Sequence, residues 1–186
     1  MSKSLKSLLA IILIILSLSL SSCNSAVSGL KSYVDATQGY EFLYPNGWIY
    51  VDIGGVRKGV KVVFQDLIEK TENLSVVASE VSQDKTLKDL GTPTEVGYSL
   101  LKSAIAPDGS KRQADLVGAE IKDAPTQTYY TLEYEVKLPD GRERHNLASV
   151  AISRGQLFTF NVSVPETHWG RLEKRLEAVV DSFTVY

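Results

Sequence analysis

The chain has 186 residues, 20 Lys and Arg against 22 Asp and Glu, and a formal net charge of −2 with histidine neutral. That near-balance gives nucleic acid no electrostatic footprint to bind, and the length suits one domain. A single cysteine excludes an internal disulfide framework.

The N-terminus reads as an export signal. Lys3 and Lys6 precede Leu8 to Leu20, "LLAIILIILSLSL", apolar apart from two serines. A spanning helix needs about 20 apolar residues, so this run falls short. A basic start, an apolar middle and a small-residue end are the parts of a secretory signal peptide. The following Leu20-Ser21-Ser22-Cys23 resembles the bacterial lipobox. The resemblance implies cleavage before Cys23 and a diacylglycerol on its thiol. The alternative is a plain signal peptide cut nearby, leaving a free thiol, a liability in an exporting compartment. The expected division is therefore 1–22 signal peptide, 23–31 lipid-anchored tether and 32–186 folded domain. Removing 1–22 leaves 164 residues with 18 bases against 22 acids. That length can bury a real core, which must hold by packing without disulfides.

From Tyr33 the signals are mostly strand. "GYEFLYP" alternates aromatic and polar residues and stops at Pro45, Asn46 and Gly47, a turn cluster. "WIYV", the glycine-rich "IGGVRKGV", "VKVVFQD" and "NLSVVASEV" follow, the last two as strands. Thr92, Pro93 and Glu95 form a helix start with a capping box, and the helix runs through "EVGYSLLKSAI" to stop before Pro107. In "TQTYYTLEYEVKL", Tyr130, Leu132, Tyr134, Val136 and Leu138 share one face. "PDGR" turns the chain at Asp140 and Gly141. "RHNLASVAI", the tight turn "SRGQ" and "LFTFNVSV" complete a meander, with Phe158, Phe160, Val162 and Val164 on one side. A last helix covers roughly Glu166 to Val180, with Trp169, Leu172, Leu176, Val179 and Val180 at helical spacing. A short strand at Phe183 to Val185 ends the chain. The fold class is α+β, an antiparallel sheet with helices packed on it.

Chemistry-bearing motifs are few. The two histidines are His145 and His168, and no serine elbow, phosphate loop or H-E-x-x-H motif occurs. Enzymatic function is not expected. A two-residue "SRGQ" turn pairs Ser153 with Gln156 and so sets His145 opposite Val164. Glu166 is then its diagonal neighbour, within reach of long side chains. An imidazole and a carboxylate can take zinc or manganese, which makes His145 and Glu166 a candidate metal site. The bland alternative is a His–Glu ion pair, with Glu166 favouring the helix start. His168 reads as a solvated surface residue. Tyr130 and Tyr134 read as core, while Tyr129 faces the other way. Bases outnumber acids between Lys137 and Arg175, and Arg57, Lys58 and Lys61 form a second small run. Such clusters suit docking on an acidic partner or an anionic lipid surface, or are ordinary solvated surface.

Taken in order, "GYEFLYPNGW", "VVFQDLIEKTENLSVVASEV", "TLKDLGTPTEV", "YYTLEYEV", "RHNLASVAISRGQLFTFNV" and the terminal "VVDSFTV" resemble the PsbP family of extrinsic photosystem II proteins. The resemblance spans about residues 32 to 186. The lipobox makes the chain most similar to cyanobacterial lipoprotein members. The resemblance implies an α-β-α sandwich around a central antiparallel sheet (PsbP/Mog1-like). It implies a monomeric, non-catalytic lumenal protein bound to photosystem II or its assembly intermediates and held at the thylakoid membrane through Cys23. Plant members support oxygen evolution by helping to retain calcium and chloride. The family's histidine and a following acidic residue, associated with metal, match His145 and Glu166. Plant members also carry a longer N-terminal arm; here Asn24 to Lys31 stands in its place. A metal carrier or sensor built on His145 and Glu166 is the alternative function.

Overall fold

The computed structural model describes residues 28–53 and 59–186. Cys23, Arg57 and Lys58 lie outside them. Among the described residues, ten strands and two α-helices follow one another, in the expected order apart from β6. The strands are β1 (Leu30–Asp35), β2 (Tyr40–Pro45), β3 (Trp48–Tyr50), β4 (Val60–Asp66) and β5 (Asn73–Glu80). Then come α1 (Pro93–Leu100), β6 (Gln113–Ala124), β7 (Gln127–Lys137), β8 (Glu143–Ser153) and β9 (Gln156–Pro165). The chain ends with α2 (Glu166–Asp181) and β10 (Thr184–Val185). β1 takes in Leu30 and Lys31, the last two residues of the segment read as tether.

Seven strands form one antiparallel sheet in the order β3-β4-β5-β9-β8-β7-β6. A second sheet, β1-β2-β10, brings the first two described strands beside the last one. On one face of the large sheet, α2 and the small sheet bury Tyr40, Phe42, Phe158, Phe160, Leu176, Val179 and Val180 together. On the other face, Val96 of α1 and Leu87 of a short 3-10 turn pack on Tyr130, Leu132, Tyr134 and Val150. This is the α-β-α arrangement expected, with the small sheet sharing the layer of α2. Among the described residues, no helix is long and apolar enough to cross a membrane.

The local reasons are those of the sequence. Thr92 caps α1: its hydroxyl accepts the Glu95 N–H while the Glu95 carboxylate accepts the Thr92 N–H at 2.8 Å. After Leu100 the helix widens into a π turn, Leu101–Ile105, before Pro107. Alternation along β7 buries Tyr130, Leu132, Tyr134 and Val136, and the Tyr134 hydroxyl donates to the Gly97 carbonyl at 3.0 Å, tying sheet to helix. Tyr129, on the opposite face, is also core: its hydroxyl oxygen accepts the Val185 N–H at 3.2 Å.

Two features depart from expectation. The 12-residue edge strand β6 was not visible in the sequence. Its residues are largely polar on the uncovered face, and a bulge between Leu116 and Gly118 breaks the period of two. The β7–β8 connection is a three-residue loop, Pro139–Gly141, instead of a two-residue turn. Gly141 N–H donates to the Leu138 carbonyl, Leu138 N–H donates to that of Arg142, and Gly141 has φ +84°. That is a type I turn closed by a glycine bulge.

Candidate functional site

His145 lies near the start of β8 with 3% of its surface exposed, directly opposite Val164 of β9. β9 ends at Pro165 and α2 begins at Glu166. The strand therefore does not continue past Glu166, but the helix start turns the carboxylate back over the sheet. Glu166 Oε2 stands 3.0 Å from His145 Nδ1. The expected meeting of these two residues is present.

A third partner was not foreseen. β7 pairs Glu135 with His145 and Glu133 with Leu147, so Glu133 is the diagonal neighbour of His145 on the same face. Its Oε1 lies 2.7 Å from His145 Nε2. Gly118, opposite Glu133 on β6, leaves room for that side chain; a Cβ there would stand 2.9 Å from Glu133 Oε2. Trp169, one turn along α2 from Glu166, stacks flat on the imidazole with ring centroids 3.8 Å apart and planes 8° from parallel. The helical spacing marked Trp169 as core without revealing this partner.

His145 is thus a bridge between two carboxylates, each about one-third exposed. Ionised carboxylates only accept hydrogen bonds, so both contacts are hydrogen bonds when both ring nitrogens carry protons. A neutral ring donates to one carboxylate alone. Each carboxylate also lines a separate cavity. Glu166 borders one of about 240 Å³ with Asp115, Glu135 and Arg144, and Glu133 borders one of about 500 Å³ with Glu120, Glu177 and Asp181.

The remaining candidates are placed as follows. His168 is not simply solvated: its Nδ1 is 2.8 Å from Oε1 of Glu72, which is buried, and Arg171 approaches the same oxygen at 3.9 Å. This contact spans 96 residues of chain and had no sequence signal. Bases of the Lys137–Arg175 run are largely engaged. Arg142 pairs with Asp140 at 2.7 Å, Arg144 donates to Ser163 Oγ at 2.9 Å and to the Thr71 carbonyl, and Arg175 donates to the Gly29 carbonyl at 2.8 Å. Burial lowers the Arg144 pKa from its usual value.

The fold defines a PsbP-type α-β-α domain, and similarity to known proteins narrows this further. The PsbP family model matches residues 28–185. The chain belongs to the PsbP family, whose members are associated with photosystem II. It is 48% identical to CyanoP of Synechocystis sp. over 185 residues, covering 99% of this chain and 98% of that protein. It is 51% identical to CyanoP of Thermosynechococcus vestitus over 166 residues, covering 87% of this chain and 89% of that protein. The solution structure of cyanobacterial PsbP (CyanoP) from Synechocystis matches with a TM-score of 0.75 and 50% identity, covering 90% of this chain and 99% of that one.

Proposed function

We propose that this chain is a lipid-anchored, non-catalytic accessory or assembly protein of photosystem II, held at the lumenal face of the thylakoid membrane through Cys23. One observation carries the reading: the similarity to cyanobacterial CyanoP runs over 99% of the chain, a span that takes in the Cys23 segment. The site supports a non-catalytic role, because both His145 nitrogens face carboxylates and neither is directed at a hydroxyl nucleophile. Affinity purification of the tagged, lipid-carrying protein from thylakoid membranes is expected to recover photosystem II subunits. A preparation with none of them overturns the proposal.

The second reading, a zinc or manganese carrier at His145 and Glu166, is supported by their 3.0 Å approach. The donor set fits such an ion only as a weak, largely hydrated site. Glu133 lies across the ring from Glu166, and among the described residues no group of three or more His, Cys, Asp or Glu is placed to hold a metal ion. Tight, stoichiometric zinc binding by calorimetry, lost in His145→Ala, would select the carrier.

A further inference from the structure

We propose that Ile49, Leu67 and Ile68 form a membrane-contact tip that enters the headgroup boundary of the bilayer. The proposal takes from the lipoprotein reading only the position of the anchor.

In the loop joining β4 to β5 the carboxylates are engaged by hydrogen bonds within the protein while the aliphatic side chains face outward. Leu67 is 60% and Ile68 93% exposed. Asp66 Oδ1 accepts the N–H groups of Ile68 at 2.8 Å and Glu69 at 2.7 Å, and Glu69 Oε1 accepts that of Thr71. The Asp66 N–H donates to the Glu72 carbonyl and the Glu72 N–H to that of Glu69. Glu72 directs its carboxylate at His168. The loop's three acids are therefore engaged by the protein, leaving Leu67, Ile68 and Lys70 facing out. Ile49 extends the patch. It pairs with Gln65, and the Leu67 N–H continues that ladder by donating to the Gly47 carbonyl at 3.1 Å. Ile49 and Leu67 are thus diagonal neighbours on one face.

The position of this tip gives it an occupant. The Asn46 N–H donates to the Gly29 carbonyl at 2.8 Å, so Gly29 and Leu67 flank the same Asn46–Gly47 turn. The guanidinium of Arg175 fixes Gly29 to α2. Five residues lie between Cys23 and Gly29, so six Cα steps at 3.3–3.6 Å each give a reach of at most about 22 Å. A lipid on Cys23 therefore brings this end of the domain to the membrane. An exposed aliphatic tip suits the headgroup boundary of a bilayer, where apolar side chains are buried.

The test uses the lipid-carrying chain in vesicles of phosphatidylcholine and phosphatidylglycerol, with a bimane label on Ile68→Cys. Contact gives a blue shift and quenching by brominated acyl chains. A label on Asp84→Cys, in the loop after the far end of β5, shows neither. A position 68 label as water-exposed as the one at 84 overturns the proposal. Because that label replaces an aliphatic residue, a second measurement asks the same question. The mature-length Cys23→Ser chain, free of lipid, is partitioned onto the same vesicles, and Ile68→Glu is expected to weaken partition at least tenfold. Equal partition of the two overturns the tip. Failure of the anchor reading is distinguishable: it appears as an unmodified mass of the mature chain and leaves the Cys23→Ser comparison intact.

Discussion

Replacing His145 with alanine tests whether the carboxylate bridge holds the sheet to α2. The substitution removes two contacts to ionisable carboxylates, at 2.7 and 3.0 Å, each worth about 1.5–3 kcal/mol when charge-assisted. It also removes the stack on Trp169, worth about 0.5–1.5 kcal/mol. Against this, Glu133 and Glu166 are one-third exposed and regain water once released, which cancels a good part of the sum. The expected net loss is about 2–4 kcal/mol. For a domain of this size that lowers Tm by about 5–15 °C. Urea unfolding of the domain from residue 28 onward, followed by far-UV circular dichroism, reads it directly. Glu133→Gln and Glu166→Gln should each cost less than His145→Ala, and the double-mutant cycle should show coupling to the histidine. A loss below about 1 kcal/mol for His145→Ala would refute the bridge as a structural element.

Alkaline pH should open the fold through its buried tyrosines. Burial pushes the Tyr40 and Tyr134 hydroxyls well above their ordinary range. A folded-state pKa above the unfolded value of about 10 contributes stability that is complete below pH 10 and is lost as pH rises. These two tyrosines should therefore ionise only with the loss of far-UV signal, giving a late cooperative step in absorbance; smooth titration of all nine near pH 10 with the fold intact counts against it. At the seam of the small sheet, Gly39 has φ +80° and a Cβ there would stand 2.7 Å from the Tyr186 carbonyl oxygen. Gly39→Ala is expected to cost about 1–3 kcal/mol by strain and displaced backbone, measured by urea midpoint, and an unchanged midpoint would contradict this.

The meander was legible because two signals agreed there. Period-two alternation in β7 and β9 assigned the faces, and the tight turn at Arg154 and Gly155 fixed the register that set His145 opposite Val164. Glu166 followed from that register even though the strand ends before it. Glu133 did not follow, because its position depends on the β7–β8 loop. A two-residue turn at Asp140 and Gly141 makes paired residue numbers sum to one more than the observed Lys137 with Glu143. That slip of one residue would set His145 among Tyr134 and Val136 and hide the second carboxylate. β6 stayed hidden for a different reason: an edge strand with a polar face and a bulge carries little alternation. The His168–Glu72 pair joins a helix to a loop, and no local pattern encodes such a meeting.

The small sheet has a temporal consequence. It is built from the first two strands and the last one, and Phe183 and Val185 fill the same core as Tyr40 and Phe42. A chain delivered from its N-terminus onward cannot complete that core until Phe183 and Val185 arrive. The core on the other face, built from residues 81–157, has no such dependence, so the two halves of the protein can be completed at different times.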